Sequence, residues 1–153
     1  MGNSKENQRK AVVIMLLIYL LVLAYLLFLS PNFRSYDLPD DYDILNLVPF
    51  REIARFLTNR DEIGIWGAFT NLAGNILAFI PFGILVPAAF RSMRKAYRTI
   101  LAGMFISAAA ELLQYKLACG VCDIDDVILN TAGTAIGYAV FTTVMKIRRS
   151  KVG

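Results

Sequence analysis

The sequence has 153 residues, of which 57% are hydrophobic and 18% are charged, and its mean hydropathy is +0.53. This composition is too apolar for an ordinary water-soluble domain and indicates a membrane protein. The net charge of +4 does not favour a nucleic-acid partner, because the basic residues flank apolar segments in the pattern of a membrane-topology signal.

Four apolar segments follow one another along the chain and predict four transmembrane helices. A helix of about 20 apolar residues is long enough to cross a hydrocarbon core of about 30 Å. We therefore expect one membrane domain over residues 1–153, with an all-α bundle of four transmembrane helices plus a short interfacial amphipathic helix. The predicted spans are approximately 11–30, 66–90, 99–117 and 126–145, and the predicted extracytoplasmic loop is 31–65.

The distribution of basic residues between the loops predicts the orientation. The N-terminal tail, the loop at 91–98 and the C-terminal tail hold three, four and four Lys or Arg residues, with Glu6 as their single acid. Cytoplasmic loops of membrane proteins carry an excess of Lys and Arg. We therefore expect a multi-pass protein of the cell membrane with both termini and the 91–98 loop in the cytoplasm.

The outer loop contains an amphipathic segment at 49–58. Apolar residues recur there at helical spacing from Phe50 to Leu57, with charged residues between them and a proline at the start. The pattern predicts an interfacial helix on the outer leaflet. Arg51 and Arg55 lie one turn apart and are placed to clamp a phosphate or to pair with acids, although arginines that snorkel at a surface show the same pattern.

Polar side chains occur in the outer halves of the second and third predicted spans. Asn71 and Asn75 lie one turn apart, and Glu111 and Gln114 share a face. An acid at the centre of a membrane helix costs about 2.5–3.5 kcal/mol on insertion scales, so a partner or a function is expected. The alternative is a structural one, because Asn and Gln also join membrane helices through hydrogen bonds worth about 0.6 kcal/mol each.

The fourth span begins with three acids, Asp123, Asp125 and Asp126, and Asn130 follows one turn after Asp126. Acids at a helix N-terminus are favourable by roughly 0.3–1 kcal/mol each, and a single one is enough for a cap. Because three acids are more than a cap requires, we expect some of these side chains to face a polar pocket shared with the other spans.

Glycines and prolines predict how the spans pack. Pro81 and Pro87 predict a kink or a break in the second span. Gly133 and Gly137, together with the small residues of the third span, predict a close approach of spans three and four that brings their polar groups together. A homodimer through Gly133 and Gly137 is the alternative.

Several enzyme classes are excluded by residues that the chain lacks. It contains no His, which removes the common zinc-hydrolase sites and His-based triads, and it has no nucleotide-binding glycine motif. Cys119 and Cys122 form a CxxC motif that could oxidise to a small-loop disulfide outside the cytoplasm, but no thioredoxin-like pattern surrounds it. No cofactor or metal can be assigned from the sequence.

Four motifs, in this order and spacing, resemble the signature blocks of VanZ-like proteins: NLVPF at 46–50, GNILAFIPFGILVP at 74–87, ELLQ at 111–114 and DIDDVILNTAG at 123–133. The resemblance implies a small bacterial multi-pass protein of the cell envelope, from a family whose named member is associated with reduced susceptibility to the lipoglycopeptide teicoplanin. Many relatives carry a basic residue just before the first Asp of the last motif, where this chain has CGVC. The resemblance places the family's polar signature on Asn46, Asn75, Glu111, Gln114, Asp123, Asp126 and Asn130.

The sequence leaves three classes of function open. The first is a binding protein that engages an amphiphile, a lipid-linked cell-wall intermediate or a lipoglycopeptide in the outer leaflet. The second is a membrane-embedded hydrolase or transferase in which Glu111 and Asp126 act as a catalytic carboxylate pair on a lipid or polyprenyl-linked headgroup. The third is an ion-coupled lipid transporter, for which four short spans without an inverted repeat are unusual. The candidate ligand-binding residues are Asn46, Arg51, Asn71, Asn75, Gln114, Asp123, Asp125 and Asn130.

Overall fold

A computed structural model describes residues 2–29, 45–58, 65–117 and 121–151 of the protein. Within its helices, the side chains of residues 2–5, 56–57 and 65–71 lie outside the description. The described residues form the helices α1 (Gly2–Phe28), α2 (Arg51–Thr58), α3 (Ile65–Ala89), α4 (Ala96–Lys116) and α5 (Ile124–Ser150), a 3₁₀ helix (Arg91–Met93), and the strands β1 (Leu45–Asn46) and β2 (Cys122–Asp123).

Four of these helices, α1, α3, α4 and α5, are long and apolar enough to cross a membrane. The prediction of four membrane-spanning helices is therefore confirmed, and the chain is a multi-pass membrane protein. Helices α1 and α5 extend beyond the apolar segments into the charged tails, because the hydrogen bonds of a helix are made by its backbone and need no apolar side chain.

Short connections make α3, α4 and α5 antiparallel neighbours, since each link is only a few residues long. We call the end of the bundle that holds α2, both strands and the first turn of α5 the acidic end. We call the end that holds the 3₁₀ helix, the last turn of α3 and the first turn of α4 the basic end.

The apolar core lies between α1 and α3. Its buried members include Leu16 and Leu23 of α1 and Phe79 and Phe82 of α3. The Tyr19 hydroxyl donates a hydrogen bond of 2.8 Å to the Ala78 carbonyl, which ties the two helices together in the middle of the core. The remaining faces of α1 expose large aliphatic side chains, as expected for a helix in contact with lipid.

Helices α3 and α5 pack with their backbones in direct contact, and glycine makes this possible. A Cβ atom on Gly137 would lie 2.1 Å from the Ile80 carbonyl oxygen, and one on Gly83 would lie 2.1 Å from the Thr134 carbonyl oxygen. Gly133 and Gly137 both face α3, the second span, and not the third span as predicted, because Gly83 opens a matching groove there. The predicted close approach of spans three and four is made at Gly103 of the third span. A homodimer through Gly133 and Gly137 would require α5 to separate from α3.

Helix α4 packs against α5 through a different glycine. The side chain of Thr134 fills the space beside Gly103, where an added Cβ would lie 2.4 Å from the threonine Oγ1. Pro81 and Pro87 lie inside α3 without ending it, so of the predicted kink or break the break is wrong. Because α3 is continuous, Asn75 at the acidic end and Gly83 at the contact with α5 lie on the same helix.

Candidate functional site

The segment 45–58 is joined to the start of α5 by the two short strands. Strands β1 and β2 pair in parallel, with Leu45 opposite Cys122 and Asn46 opposite Asp123. The Asn46 amide Nδ2 donates a hydrogen bond of 3.1 Å to Asp123 Oδ1, and the Asn46 Oδ1 accepts one of 3.4 Å from the Val48 amide. The buried Asn46 therefore attaches the outer segment to the first turn of α5.

Asp123 caps α5 and also contacts α4. Its Oδ1 accepts a hydrogen bond of 2.8 Å from the Asp125 amide, the usual arrangement of an N-cap. Its own amide donates a hydrogen bond of 3.0 Å to Glu111 Oε2. Burial raises the pKa of Asp123, and the nearby charge of Asp125 adds to that effect.

Asp125 holds the N-terminus of α2. One carboxylate oxygen accepts a hydrogen bond from the Phe50 amide, and the other accepts bonds of 2.9 Å from Glu52 and 3.1 Å from Ile53. Phe50 is in the left-handed region at φ 67°, a strained conformation for an aromatic residue, and its amide points at this carboxylate. Asp125 was predicted to bind ligand, but both of its oxygens are occupied by backbone amides and its side chain is fully buried.

Asp126 and Glu111 form a carboxylate pair inside the membrane-spanning segments. Asp126 accepts a hydrogen bond from the Asn75 amide group, which joins α5 to α3. Glu111 lies within electrostatic reach of Asp126. Glu111 and Asn75 are at most 5% exposed and Asp126 is half-buried, so the pair lies in a largely buried site shared by three spans.

A second polar layer lies one helical turn further into the bundle. Asn130 donates a hydrogen bond of 2.8 Å from Nδ2 to Ser107 Oγ, and both side chains are buried. Asn130 follows Asp126 by four residues on α5, and Ser107 precedes Glu111 by four residues on α4. Because the two helices are antiparallel, the Ser107–Asn130 layer lies about 6 Å below the carboxylate pair.

The structure brings most of the predicted site residues together, and Gln114 and Arg51 are the exceptions among the described side chains. Gln114 donates a hydrogen bond of 2.9 Å from Nε2 to the Leu27 carbonyl at the end of α1, so its amide nitrogen bonds to α1 although Gln114 shares a helix face with Glu111. Arg51 is exposed on the first turn of α2. The side chain of Asn71 lies outside the described residues.

Two members of the site were not found from the sequence. Glu52 is one of the charged residues between the apolar positions of the amphipathic segment, yet its side chain is only 14% exposed, is paired with Arg55 at 3.2 Å and lies near Asp123 and Asp126. Ser107 is a single small polar residue within an apolar segment. Its spacing of four residues from Glu111 was the signal that could have identified it.

Cys122 is a buried free thiol, and its burial together with the charge of Glu111 raises its pKa. Cys119 lies outside the described residues, so the disulfide prediction is not tested. Among the residues that the structure describes, no group of three or more His, Cys, Asp or Glu side chains is arranged to hold a metal ion.

Four spanning helices with carboxylates and amides buried at one end define a multi-pass membrane protein with an intramembrane polar site. The chain belongs to the VanZ/LLP1 family, whose model matches residues 16–146. It is similar to Protein VanZ of Enterococcus faecium, with 29% identity over 100 residues, which make up 65% of this chain and 60% of that protein. The match thus spans less than two thirds of the length of this relative. No solved structure matches the chain.

Proposed function

We propose that this protein is a cell-envelope membrane protein with an extracytoplasmic polar pocket that engages an amphiphile or a lipid-linked cell-wall component, and that it lowers susceptibility to lipoglycopeptides such as teicoplanin. The observation that carries the proposal is the meeting of Asn75, Glu111 and Asp126 from three different spans. Intramembrane acids are costly and usually mark a functional site. Membership of the VanZ/LLP1 family supports the link to the cell envelope.

The proposed orientation places the acidic end outside and both termini in the cytoplasm. Arg91, Arg94, Lys95 and Arg98 are all exposed at the basic end, as the positive-inside rule requires of a cytoplasmic loop. Cysteine-accessibility labelling tests this assignment in a variant whose Cys119 and Cys122 are replaced by Ser, because labelling of Arg91→Cys from outside intact cells would then reverse it.

The proposed position of α2 is at the surface of the outer leaflet. Leu47, Val48 and Phe50 precede it and are each about 60% exposed, while Asp125 fixes the N-terminus of α2 from below. An exposed apolar segment beside an anchored short helix suits the boundary between headgroups and acyl chains. An amphiphile that enters the outer leaflet would then meet this segment next to the carboxylate pair.

A membrane-embedded hydrolase or transferase is the second candidate, and the proximity of Glu111 to Asp126 favours it. Two carboxylates in one dehydrated site can divide the roles of general acid and general base, because each affects the proton affinity of the other. In this alternative Glu111 and Asp126 are catalytic, and they act on a lipid or polyprenyl-linked headgroup.

The first experiment compares binding of fluorescent teicoplanin and the minimum inhibitory concentration in a susceptible Gram-positive host. The host expresses wild type, Glu111→Gln, Asp126→Asn or Glu6→Gln at matched membrane levels. Glu6 is an exposed acid paired with Lys10 at the basic end and is the matched control. We expect wild type and Glu6→Gln to lower both binding and susceptibility, and the two pair variants to lose at least half of the effect.

Two results separate the candidates. Partial activity of Glu111→Gln supports binding, because the amide keeps one hydrogen-bond acceptor, whereas complete loss with normal accumulation supports catalysis. If wild type changes neither teicoplanin binding nor susceptibility, the proposed resistance function is wrong.

A further inference from the structure

The basic loop, residues 90–98, carries four exposed cationic side chains: Arg91, Arg94, Lys95 and Arg98. None of them makes an ion pair with an acid among the described residues, whereas Lys10 in α1 pairs with Glu6 at 2.8 Å. The sequence has no acid between Glu62 and Glu111. Like charges held this close repel one another, so an anionic partner from outside the chain would stabilise the loop.

Hydrogen bonds fix the shape of the basic loop and hold two of its arginines in place. Arg98 donates from Nε to the Tyr97 hydroxyl at 3.1 Å and from Nη1 to the Ser92 carbonyl at 2.9 Å. Arg94 donates from Nε to the Pro87 carbonyl at 3.3 Å. Among the described residues these contacts leave Nη2 of Arg98 and both Nη groups of Arg94 without a partner. The two exposed guanidinium groups therefore keep N–H donors for a phosphate, which arginine binds in a bidentate manner.

Exposed aromatic side chains indicate that the basic loop lies at the boundary of the bilayer. Phe90, directly after α3, is 41% exposed, and Tyr97, in the first turn of α4, is 55% exposed. Aromatic residues are enriched where the acyl chains of a membrane meet the headgroups. The loop also joins two membrane-spanning helices, so its arginines lie next to the phospholipid headgroups of the adjoining leaflet.

We propose that the basic loop binds the phosphodiester headgroup of an anionic phospholipid from the adjoining leaflet. Basic clusters next to a membrane helix attract anionic lipids. Arg94 and Arg98 contact the phosphate oxygens, and Arg91 and Lys95 add to the attraction. A zwitterionic phospholipid carries the same phosphate together with a cationic amine, which these side chains repel. The site lies at the opposite end of the bundle from the carboxylate pair, so this inference goes beyond the proposed function and does not depend on it.

The test compares two phospholipids with the same acyl chains, anionic phosphatidylglycerol and zwitterionic phosphatidylcholine. The purified full-length protein in a neutral detergent is mixed with equal amounts of both lipids, and native mass spectrometry counts the molecules of each that remain bound. We expect wild type to retain phosphatidylglycerol at least about 5-fold more often, because a single basic side chain near the membrane surface changes the affinity for anionic lipid by about this factor. Equal retention of the two lipids by wild type would overturn the proposal.

Variants that remove one charge test whether the lipid binds at the basic loop. Arg94→Gln and Arg98→Gln should each lower the preference for phosphatidylglycerol at least about 3-fold. Lys116→Gln is the matched control, because it removes an exposed cation from the last turn of the same helix α4, at the acidic end. It should lower the preference less than about 1.5-fold, since exposed charges at opposite ends of the bundle are screened from each other. Equal losses in Lys116→Gln and Arg98→Gln would mean that net charge alone attracts the lipid, and would overturn the proposed site.

Arg98→Lys separates the charge from the folding of the loop. It keeps the positive charge and loses the bond from Nε to the Tyr97 hydroxyl, so it should keep at least about half of the wild-type preference. A loss as large as that of Arg98→Gln would mean that the charge does not hold the lipid, and the proposal would be wrong. Size-exclusion chromatography of each variant checks that the protein is folded before lipid is added.

A soluble phosphate compound is the alternative occupant of the basic loop. Inorganic pyrophosphate, added at the same concentration as the lipid, should leave the retained phosphatidylglycerol unchanged, because the acyl chains hold the lipid headgroup beside the loop. Displacement of the lipid would assign the loop to a soluble anion and overturn the phospholipid proposal. These results are independent of the teicoplanin experiment, whose variants Glu111→Gln and Asp126→Asn lie at the acidic end and should retain phosphatidylglycerol as wild type does.

Discussion

The two ends of the bundle use their polar side chains in different ways. At the acidic end the hydrogen bonds join distant parts of the chain: Asn46 to Asp123 across 77 residues and Asn75 to Asp126 across 51. At the basic end, Arg98 and Thr99 each donate to a backbone carbonyl only six residues earlier, at Ser92 and Met93, although the bond from the Tyr138 hydroxyl to the Arg94 carbonyl spans 44 residues.

Charged side chains therefore have different roles at the acidic end and at the basic end. Local caps at the basic end stabilise a turn and leave the guanidinium groups exposed, which is sufficient for an orientation signal. The long-range bonds at the acidic end exist only when four elements are correctly packed, and they hold carboxylates in a largely dehydrated position. Substitutions should therefore be costly at the acidic end and mild at the basic end.

The largest effect is expected from Asp125→Ala. This change removes the acceptor of three backbone amides, at a cost of about 1–3 kcal/mol for each donor that water cannot reach. We expect α2 to detach from α5, and trypsin to cleave after Arg51 and Arg55 at least about 10-fold faster than in wild type, because local opening exposes both bonds. Mass spectrometry of timed digests measures these rates.

Asp125→Asn is the conservative comparison, because it keeps one carbonyl oxygen, and its cleavage rate should be intermediate. Thr143→Ala, which changes an exposed side chain far from α2, should leave the rate unchanged. Equal cleavage of Asp125→Ala and wild type would mean that α2 is held by other contacts.

An intermediate effect is expected for the bond between Asn75 and Asp126. A double-mutant cycle of Asn75→Ala and Asp126→Ala, measured by unfolding in mixed micelles, should give a coupling energy of about 0.5–3 kcal/mol. The control cycle combines Asn75→Ala with Gln114→Ala, whose partner is the Leu27 carbonyl. That second cycle should be additive within about 0.5 kcal/mol. A larger coupling energy would mean that Gln114 interacts with Asn75 and belongs to the site.

The smallest effects are expected at the basic end. Tyr138→Phe removes one hydrogen bond of 2.6 Å to the Arg94 carbonyl and should cost about 0.5–1.5 kcal/mol of unfolding free energy. Arg94→Lys removes the 3.3 Å bond from Nε to the Pro87 carbonyl and should cost less than about 1 kcal/mol. The same unfolding assay measures both changes in unfolding free energy. A loss at either position as large as that of Asp126→Ala would contradict the expected difference between the two ends.

The sequence by itself determined the number of spanning helices and the residues that could form the site. Apolar length and composition decide whether a segment can cross a membrane, and both can be counted along the chain. The sequence also identified Asn75, Glu111 and Asp126, because a polar group within a membrane-spanning segment is costly.

Only the tertiary structure decided which of these residues face one another. The glycines of α5 fit α3 and not α4, because packing depends on the shape of both surfaces and Gly83 supplied the groove. Gln114 was turned to α1, and Glu52 was brought toward Asp123 and Asp126. Asp125 was occupied by the amides of α2, because the left-handed turn at Phe50 directs them there, and no local pattern in the sequence encodes that turn.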